Sequence, residues 1–277
     1  MQFLNYLLFL VPKNILSRFV GWLVHLELPE PLKTKVLLGF AGYYKINLDE
    51  AEKTHQEYKS IGALFTRKLK RGIRPVGSAE CLHPADSKLT TFGSIDGNTL
   101  LQAKGHAYSL PEFIKDPNAA TRFRGGYFAT YYLCPTDYHR VHSPVAGEVT
   151  KATVVPGALW PVNNWSVNAI HNLFALNERV VVEIKTRYGD VIVVLVGATN
   201  VGKMSLAFDS EVGSNQGGST RTREYHPPIK LEKGDELGTF HMGSTVVVIY
   251  SPEFVRNFDF SKKDPNEFVK VNASFFT

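Results

Sequence analysis

Serine, histidine and aspartate side chains occur together in short polar segments that could carry out nucleophilic chemistry. The segments are residues 83–87 (HPADS), 137–144 (DYHRVHSP) and 242–245 (MGST). A serine hydroxyl is a weak nucleophile until a base accepts its proton, and a carboxylate can orient that base and stabilise its charged form. The residue types are therefore those of an activated serine, with Ser244, His139, His142 and Asp86 as its candidate parts.

The same residues also have ordinary structural interpretations. Ser244 can belong to a turn before the apolar run 246–249, and Asp86 can be a turn or cap residue after the nearby proline. His139 and His142 can be surface histidines beside a turn. Because spacing along the chain does not show that the residues meet in space, both interpretations stay open on this basis alone.

Further stretches follow one another in a characteristic order along almost the whole chain. They are residues 65–70 (FTRKLK), 74–75 (RP), 102–106 (QAKGH), 108–110 (YSL), 172–175 (NLFA), 177–179 (NER), 196–199 (VGAT), 201–202 (VG), 233–234 (KG) and 236–238 (ELG). Together with the three polar segments, this set resembles the bacterial phosphatidylserine decarboxylases. Met242 replaces the leucine of the family's LGST tail with a side chain of similar volume, and Ser87 stands where the family usually has glycine.

The resemblance implies a chain that cleaves itself. His142, oriented by Asp86, would take the proton of Ser244, whose oxygen attacks the carbonyl carbon of Gly243. Cleavage between Gly243 and Ser244 would leave a β chain of residues 1–243 and an α chain of residues 244–277. Ser244 would become a covalent pyruvoyl group, the only cofactor implied, and no metal is expected.

The resemblance also implies the reaction and its substrate. The pyruvoyl group would form a Schiff base with the amine of phosphatidylserine, withdraw electrons as carbon dioxide leaves, and so yield phosphatidylethanolamine, a step in phospholipid biosynthesis. The enzyme would be a carboxy-lyase. His139 matches a family position with a role in decarboxylation, where it could donate a proton or only shape the pocket through hydrogen bonds.

Periodicity predicts an α+β fold in which N-terminal amphipathic helices precede a mainly antiparallel β catalytic domain. Helical spacing covers residues 12–26, a second helix is expected at residues 32–44 after the prolines that end the first, and a third is expected from an N-cap at Asp49. The strands are predicted at residues 127–133, 145–155, 180–186, 191–196 and 245–250, with a hairpin turn at 187–190 and a mobile loop at 209–224. The expected domains are residues 1–75 and 76–277.

The N-terminal helices predict contact with an anionic membrane surface. In residues 12–26 an apolar stripe of Ile15, Phe19, Trp22, Leu23 and Leu26 lies opposite Asn14, Ser17, Arg18, Gly21 and His25. Such a stripe can lie in a bilayer interface while the basic residues within 67–74 attract headgroups, or it can pack on the catalytic domain. With the resemblance, we expect a peripheral protein on the cytoplasmic side of the cell membrane, and a homo-oligomer.

Composition limits the other possibilities. A formal charge of +5 is too small to indicate nucleic acid without a motif, and two cysteines cannot form a dense disulfide framework. The apolar stretch 3–11 is shorter than a membrane span of roughly 20 residues. Three alternatives remain: a zinc hydrolase using His106, His139 or His142 with Asp86, a lipoyl- or biotin-carrier-like module, and a serine esterase, although Ser244 lacks a GxSxG elbow.

Overall fold

Short helices surround and precede a β-rich body. The computed structural model describes residues 13–103, 106–162, 164–199, 203–214, 217–242, 244–260 and 266–275. Within them the helices are α1 (Lys13–Val24), α2 (Leu32–Tyr43), α3 (Ile61–Phe65), α4 (Leu110–Ile114), α5 (Pro117–Arg122), α6 (Asn164–Ala169), α7 (Leu173–Leu176) and α8 (Pro252–Val255). A single 3₁₀ turn, His55–Glu57, lies between α2 and α3.

The described strands form three antiparallel sheets. The strands are β1 (Ser87–Ser94), β2 (Thr99–Ala103), β3 (His106–Ser109), β4 (Tyr127–Leu133), β5 (Arg140–His142), β6 (Gly147–Val155), β7 (Arg179–Thr186), β8 (Gly189–Gly197), β9 (Met204–Leu206), β10 (Arg221–Leu231), β11 (Glu236–Phe240), β12 (Ser244–Tyr250) and β13 (Phe268–Val269). Eight of them make one sheet in the order β10-β6-β7-β8-β12-β4-β1-β13, and β5-β11-β9 make a smaller one. The predicted α+β class with a mainly antiparallel sheet is confirmed.

The central strands contain long apolar runs because the large sheet is covered on both faces. Val246 to Tyr250 of β12 are fully buried, and so are their neighbours on β8. On one face, Arg179 donates to the carbonyls of Glu112 and Phe113 in α4. On the other face, the chain around residues 81–83 contacts Tyr131 and Tyr250. A strand that is buried on both sides shows no polar alternation.

The first two helices match their predicted positions, whereas the third helix does not begin at Asp49. Thr54 and Glu57 form a capping box around the 3₁₀ turn, and the Ser60 hydroxyl accepts from the amide of Ala63 to begin α3 instead. Side-chain capping therefore starts two short segments where periodicity had suggested one helix. Leu37 and Ala41 of α2 pack with Tyr58 and Leu64 in a small core of their own.

The predicted strands are confirmed to within a few residues, and β7 and β8 are joined by the expected tight turn. The predicted loop 209–224 is wrong at its end, because β10 begins at Arg221 and pairs with Val154 of β6. Its side chains from Arg221 to Glu224 are exposed. An edge strand in solvent needs no apolar residues, so its sequence resembles that of a loop. Residues 215 and 216 lie outside the described part of this segment.

No helix in the described ranges is both long enough and apolar enough to span a bilayer.

Candidate active site

Ser244 is the first residue of the central strand β12. It pairs with Leu133, the last residue of β4, on one side and with Gly197, the last residue of β8, on the other. Three strand ends therefore meet at this edge of the sheet. Gly243 and the Ser244 side chain lie outside the described residues, so the backbone register is what places this serine.

The other candidate residues reach the same edge of the sheet. Asp86 immediately precedes β1, whose Lys88 pairs with Tyr132 next to the end of β4. Only β4 separates β1 from β12, so the two strands are about 10 Å apart. The segment that contains His139 and His142 begins directly after β4. Topology thus gathers four residues from three segments that lie far apart in the sequence.

His142 is a neutral base in which both ring nitrogens have partners. Nδ1 lies 2.7 Å from the carbonyl oxygen of Gly234, and Nε2 lies 3.1 Å from the Tyr138 hydroxyl. A carbonyl can only accept, so Nδ1 carries the proton and Nε2 accepts from Tyr138. Burial lowers the pKa of His142 and outweighs the bond to Gly234, which raises it. Nε2 is therefore the basic nitrogen.

Gly234 can present its carbonyl to His142 because it adopts a left-handed backbone. Its φ is +86°, and a Cβ at this position would lie 2.9 Å from a methyl group of Val76. Any other L-residue would be strained here, and its side chain would clash. The turn that follows β10 is therefore part of the site.

Asp86 is an anchored carboxylate. Its side chain is almost fully buried and accepts from Nε and Nη2 of Arg74 at 2.9 and 2.6 Å, and from the amide of Val271 at 2.8 Å. Burial raises the pKa of Asp86, but Arg74 and the Val271 amide lower it by more, so the net shift is downward. Lys270 adds a weaker contact at 3.5 Å. Asp86 is held ionised by four donors.

The expected contact between Asp86 and His142 is not formed. Arg74 and Val271 occupy the carboxylate oxygens, while Gly234 occupies the histidine nitrogen that a carboxylate would orient. The two segments are instead joined through the backbone. The amide of His142 donates to the carbonyl of Pro84 at 2.8 Å.

His139 is enclosed, contrary to the surface interpretation. It has no exposed area, its ring centroid lies 3.9 Å from that of Phe65, and its Nδ1 donates to the carbonyl of Asp137 at 2.9 Å. Burial lowers the pKa of His139 to about 3, so the ring is neutral at physiological pH. Among the described residues, no protein atom hydrogen-bonds to Nε2, which is left as a buried acceptor. A neutral histidine in this state can accept a proton or a hydrogen bond from a bound group.

The basic segment after α3 is not a uniformly solvated surface. Arg67 is 4% exposed, and its Nη2 donates to the carbonyls of Thr136 and Asp137. Arg140 makes the reverse contact, with two nitrogens on the carbonyl of Thr66. These reciprocal bonds hold the loop before His139. The expectation that Arg67 and Arg74 attract headgroups is therefore wrong, because both side chains have partners inside the protein.

Two further titratable groups lie beside the strand ends. Burial raises the pKa of Asp137 to about 6 although the amide of Cys134 donates to it. Burial, with smaller effects from Lys203 and His25, lowers the pKa of His241 to about 4. The ring of His241 also hydrogen-bonds to the Ser205 hydroxyl at 3.1 Å. Near neutral pH the site thus contains neutral imidazoles and few free charges.

Sequence reasoning missed several residues of this site. They are Arg67, Arg74, Tyr138, Gly234 and His241. The available signal was that residues 67, 74, 138 and 234 lie in segments that carry the family resemblance, but the charge of the two arginines suggested a surface role. Among the described residues, no group of three or more His, Cys, Asp or Glu could hold a metal ion, and the His106 side chain lies outside that description.

Comparison with known proteins gives a consistent result. The family model for phosphatidylserine decarboxylase matches residues 61–276. Proteins named phosphatidylserine decarboxylase proenzyme are similar over most of both chains. One from Anaeromyxobacter sp. (strain K) is 42% identical over 88% of this chain and 87% of its own. Those from Myxococcus xanthus and Shewanella sp. (strain MR-4) are 40% and 41% identical over 88% and 90% of this chain, and over 88% of their own.

Fold and site define an α+β enzyme whose acid–base groups lie at one end of a central antiparallel sheet. With the family match over more than half of the chain, the identification follows. The chain belongs to the phosphatidylserine decarboxylase family.

Proposed function

We propose that this protein decarboxylates phosphatidylserine to phosphatidylethanolamine after cleaving its own backbone between Gly243 and Ser244. The observation that carries the proposal is the register of Ser244. The residues that match the family model, 61–276, include Ser244. This serine lies at the edge of the sheet that the segments of His142, His139 and Asp86 also reach. The word proenzyme in the names of its relatives agrees with processing.

The cleavage step needs a base and a nucleophile, both from this chain. Nε2 of neutral His142 would accept the proton of the Ser244 hydroxyl as its oxygen attacks the carbonyl carbon of Gly243, which converts the amide to an ester. The Tyr138 hydroxyl has to leave Nε2 for this to happen, because one nitrogen lone pair accepts one strong bond. Elimination then breaks the ester, and hydrolysis of the resulting enamine releases ammonia and leaves a pyruvoyl group at residue 244.

The pyruvoyl group would supply an electron-withdrawing carbonyl that binds the substrate amine. At the end of β12 this group would lie beside the segment that carries the neutral imidazoles of His139 and His142. His139 would take part in the decarboxylation step as a hydrogen-bond acceptor through Nε2, because its one ring proton is on Nδ1 and bonded to the carbonyl of Asp137. The buried ring of Phe65 against His139 would help to exclude water from that step.

Cleavage would leave two chains that remain folded together. The α chain, residues 244–277, contains the central strand β12 and the edge strand β13, while the β chain, residues 1–243, contains the strands on both sides of β12. The backbone ladder and buried side chains of β12 do not depend on the bond before Ser244. The predicted division into residues 1–75 and 76–277 belongs to the same proposal.

Membrane contact would come from α1. The side chains of Phe19, Trp22 and Leu23 are 56%, 60% and 49% exposed, while Ser17 on the other side of the helix is fully buried. These three side chains of the apolar stripe therefore face away from the protein, which is the orientation of a helix that lies in a bilayer interface. We propose a peripheral enzyme on the cytoplasmic side of the cell membrane that contacts anionic lipid and forms a homo-oligomer.

The proposal is tested by intact-mass measurement of purified protein with and without Ser244→Ala. Wild-type protein should separate into residues 1–243 and a pyruvoyl-blocked 244–277, and it should decarboxylate phosphatidylserine in vesicles. The Ser244→Ala protein should stay whole and inactive. A wild-type chain that stays whole while it decarboxylates the lipid would refute the mechanism, and a stoichiometric zinc that survives dialysis and is needed for activity would favour the zinc hydrolase.

A further inference from the structure

Four separate chain segments meet at Arg74, a residue to which the proposed mechanism gives no role. Its guanidinium contacts Asp86 through Nε and Nη2 and also contacts Glu50 at 2.8 Å. Its own carbonyl accepts from Asn272 at 3.3 Å. The side chains of Arg74 and Asp86 are only 11% and 4% exposed. Solvent therefore screens this pair weakly, and its forked geometry makes it directional.

The Asp86 segment in turn supports the backbone of His142. The amide of Leu82 donates to the carbonyl of Pro144, and the amide of His142 donates to the carbonyl of Pro84, both at 2.8 Å. Residues 82–84 therefore lie alongside residues 142–144 like a paired strand. A shift of the chain at Asp86 would move the backbone of His142 even though the two side chains do not touch.

The imidazole of His142 is oriented by another group. The carbonyl of Gly234 accepts from Nδ1, and Ser143 is bonded through its amide to Asp235 and through its carbonyl to the amide of Gly234. This turn does what a carboxylate does in a serine–histidine–aspartate triad, because it fixes the tautomer that leaves Nε2 basic.

We propose that Arg74 is the positioning residue of the cleavage site: it fixes Asp86, and the segment of Asp86 fixes His142 through the backbone while Gly234 orients the ring. This inference rests on the proposed self-cleavage. Asp86 then acts as an anchor rather than as the direct partner of His142. The anchor also involves Lys270 and Val271, which belong to the proposed α chain, so precursor and cleaved protein would hold Asp86 through the same contacts.

The first test measures self-cleavage rates for Arg74→Gln, Asp86→Asn and the double variant. Each single change should slow cleavage by about 100-fold, because a small displacement of a base from its nucleophile has an effect of that size. The double variant should be no slower than the slower single variant, since both changes remove one shared anchor. Arg187→Gln is the matched control, because it removes an exposed pair with Glu80 at 2.8 Å and should cleave normally. Wild-type rates in Arg74→Gln would overturn the inference.

The second test observes the His142 ring directly. In a Ser244→Ala background, the ¹⁵N shifts of His142 should report a proton on Nδ1 in the parent, in Asp86→Asn and in Arg74→Gln. A changed tautomer in Asp86→Asn alone would show that Asp86 contacts the ring and would overturn the inference. If thermal melting shows that Arg74→Gln does not fold, the tautomer of His142 in the Asp86→Asn variant decides the test. Wild-type and Arg187→Gln chains that both stay whole would instead refute self-cleavage itself.

Discussion

Two histidines three residues apart have different surroundings, and this suits them to different steps. His142 has a hydrogen-bonded tautomer with a basic Nε2, whereas His139 is sealed against Phe65 and keeps Nε2 without a protein partner among the described residues. A base for cleavage must release its present partner, Tyr138, and reach the start of β12. A group for turnover must face a bound substrate.

We expect His142→Ala and His139→Ala to separate cleavage from turnover. His142→Ala should slow self-cleavage by about 100-fold or more, because it removes the general base. His139→Ala should cleave and then decarboxylate phosphatidylserine about 100-fold more slowly. Gel analysis of the two chains and product assays on the cleaved fraction measure the two effects. The exposed His226→Ala is the control, and equal, near-normal behaviour of both variants would contradict the assignments.

At the scale of the element, α1 differs from an ordinary amphipathic helix in the direction of its apolar face. The opposite side of the helix is attached to the protein: Ser17 and Val24 are buried, and the ring of His25 lies so close to Gly62 that a Cβ there would be 2.6 Å from it. The helix thus keeps Phe19, Trp22 and Leu23 outward. Partition of such side chains into an interface gives a free energy that depends on the apolar area removed from water.

Replacement of Phe19 and Trp22 by serine should weaken membrane binding without unfolding the protein. Each exposed aromatic should contribute about 1.5 kcal/mol, or roughly tenfold in affinity, when it is buried in the lipid interface. Co-sedimentation with phosphatidylcholine vesicles that contain phosphatidylserine measures the loss. Leu176→Ser removes an apolar side chain that is 47% exposed on α7 and should bind as wild type. Unchanged binding by the double variant would count against membrane contact through α1.

At the scale of the whole molecule, the buried site makes stability dependent on pH. Burial lowers the pKa of His139 to about 3 and that of His241 to about 4, and it also lowers the pKa of His142. In the unfolded chain these rings titrate near pH 6.5, so below about pH 6.5 the unfolded state takes up protons that the folded state excludes. Asp137 acts in the opposite direction, because its pKa is raised to about 6 in the fold.

The free energy of unfolding should therefore fall as the pH decreases from about 6.5 to 4. In this range the unfolded chain binds up to three more histidine protons and one fewer aspartate proton than the folded chain. The free energy of unfolding therefore changes by at most about 3 kcal/mol per pH unit. Chemical unfolding of the Ser244→Ala chain at several pH values measures the slope. His139→Asn should reduce the slope by about 1 kcal/mol per unit, and the exposed His226→Asn should leave it unchanged. A slope that does not respond to His139→Asn would show that another group causes the acid sensitivity.

The sequence by itself determined the class of fold, the strands of the central sheet and the family. Runs such as residues 245–250 are apolar and β-branched, and α1 has a clear helical period, so local preference and burial agree there. The predictions from sequence are wrong where local side-chain hydrogen bonds or solvent exposure determine the structure. Thr54 and Ser60 divide the expected third helix, and the exposed edge strand β10 has a sequence that resembles a loop.

Only the tertiary structure decided which residues contact one another at the site. The register of β12 with β4 brings Ser244 beside a segment more than a hundred residues away in sequence. Arg74 rather than His142 contacts Asp86, and a glycine carbonyl rather than a carboxylate orients His142. A residue's charge predicts what it can bind, but burial and competition among nearby donors and acceptors select the partner. Those depend on chain segments that meet only when the sheet has formed.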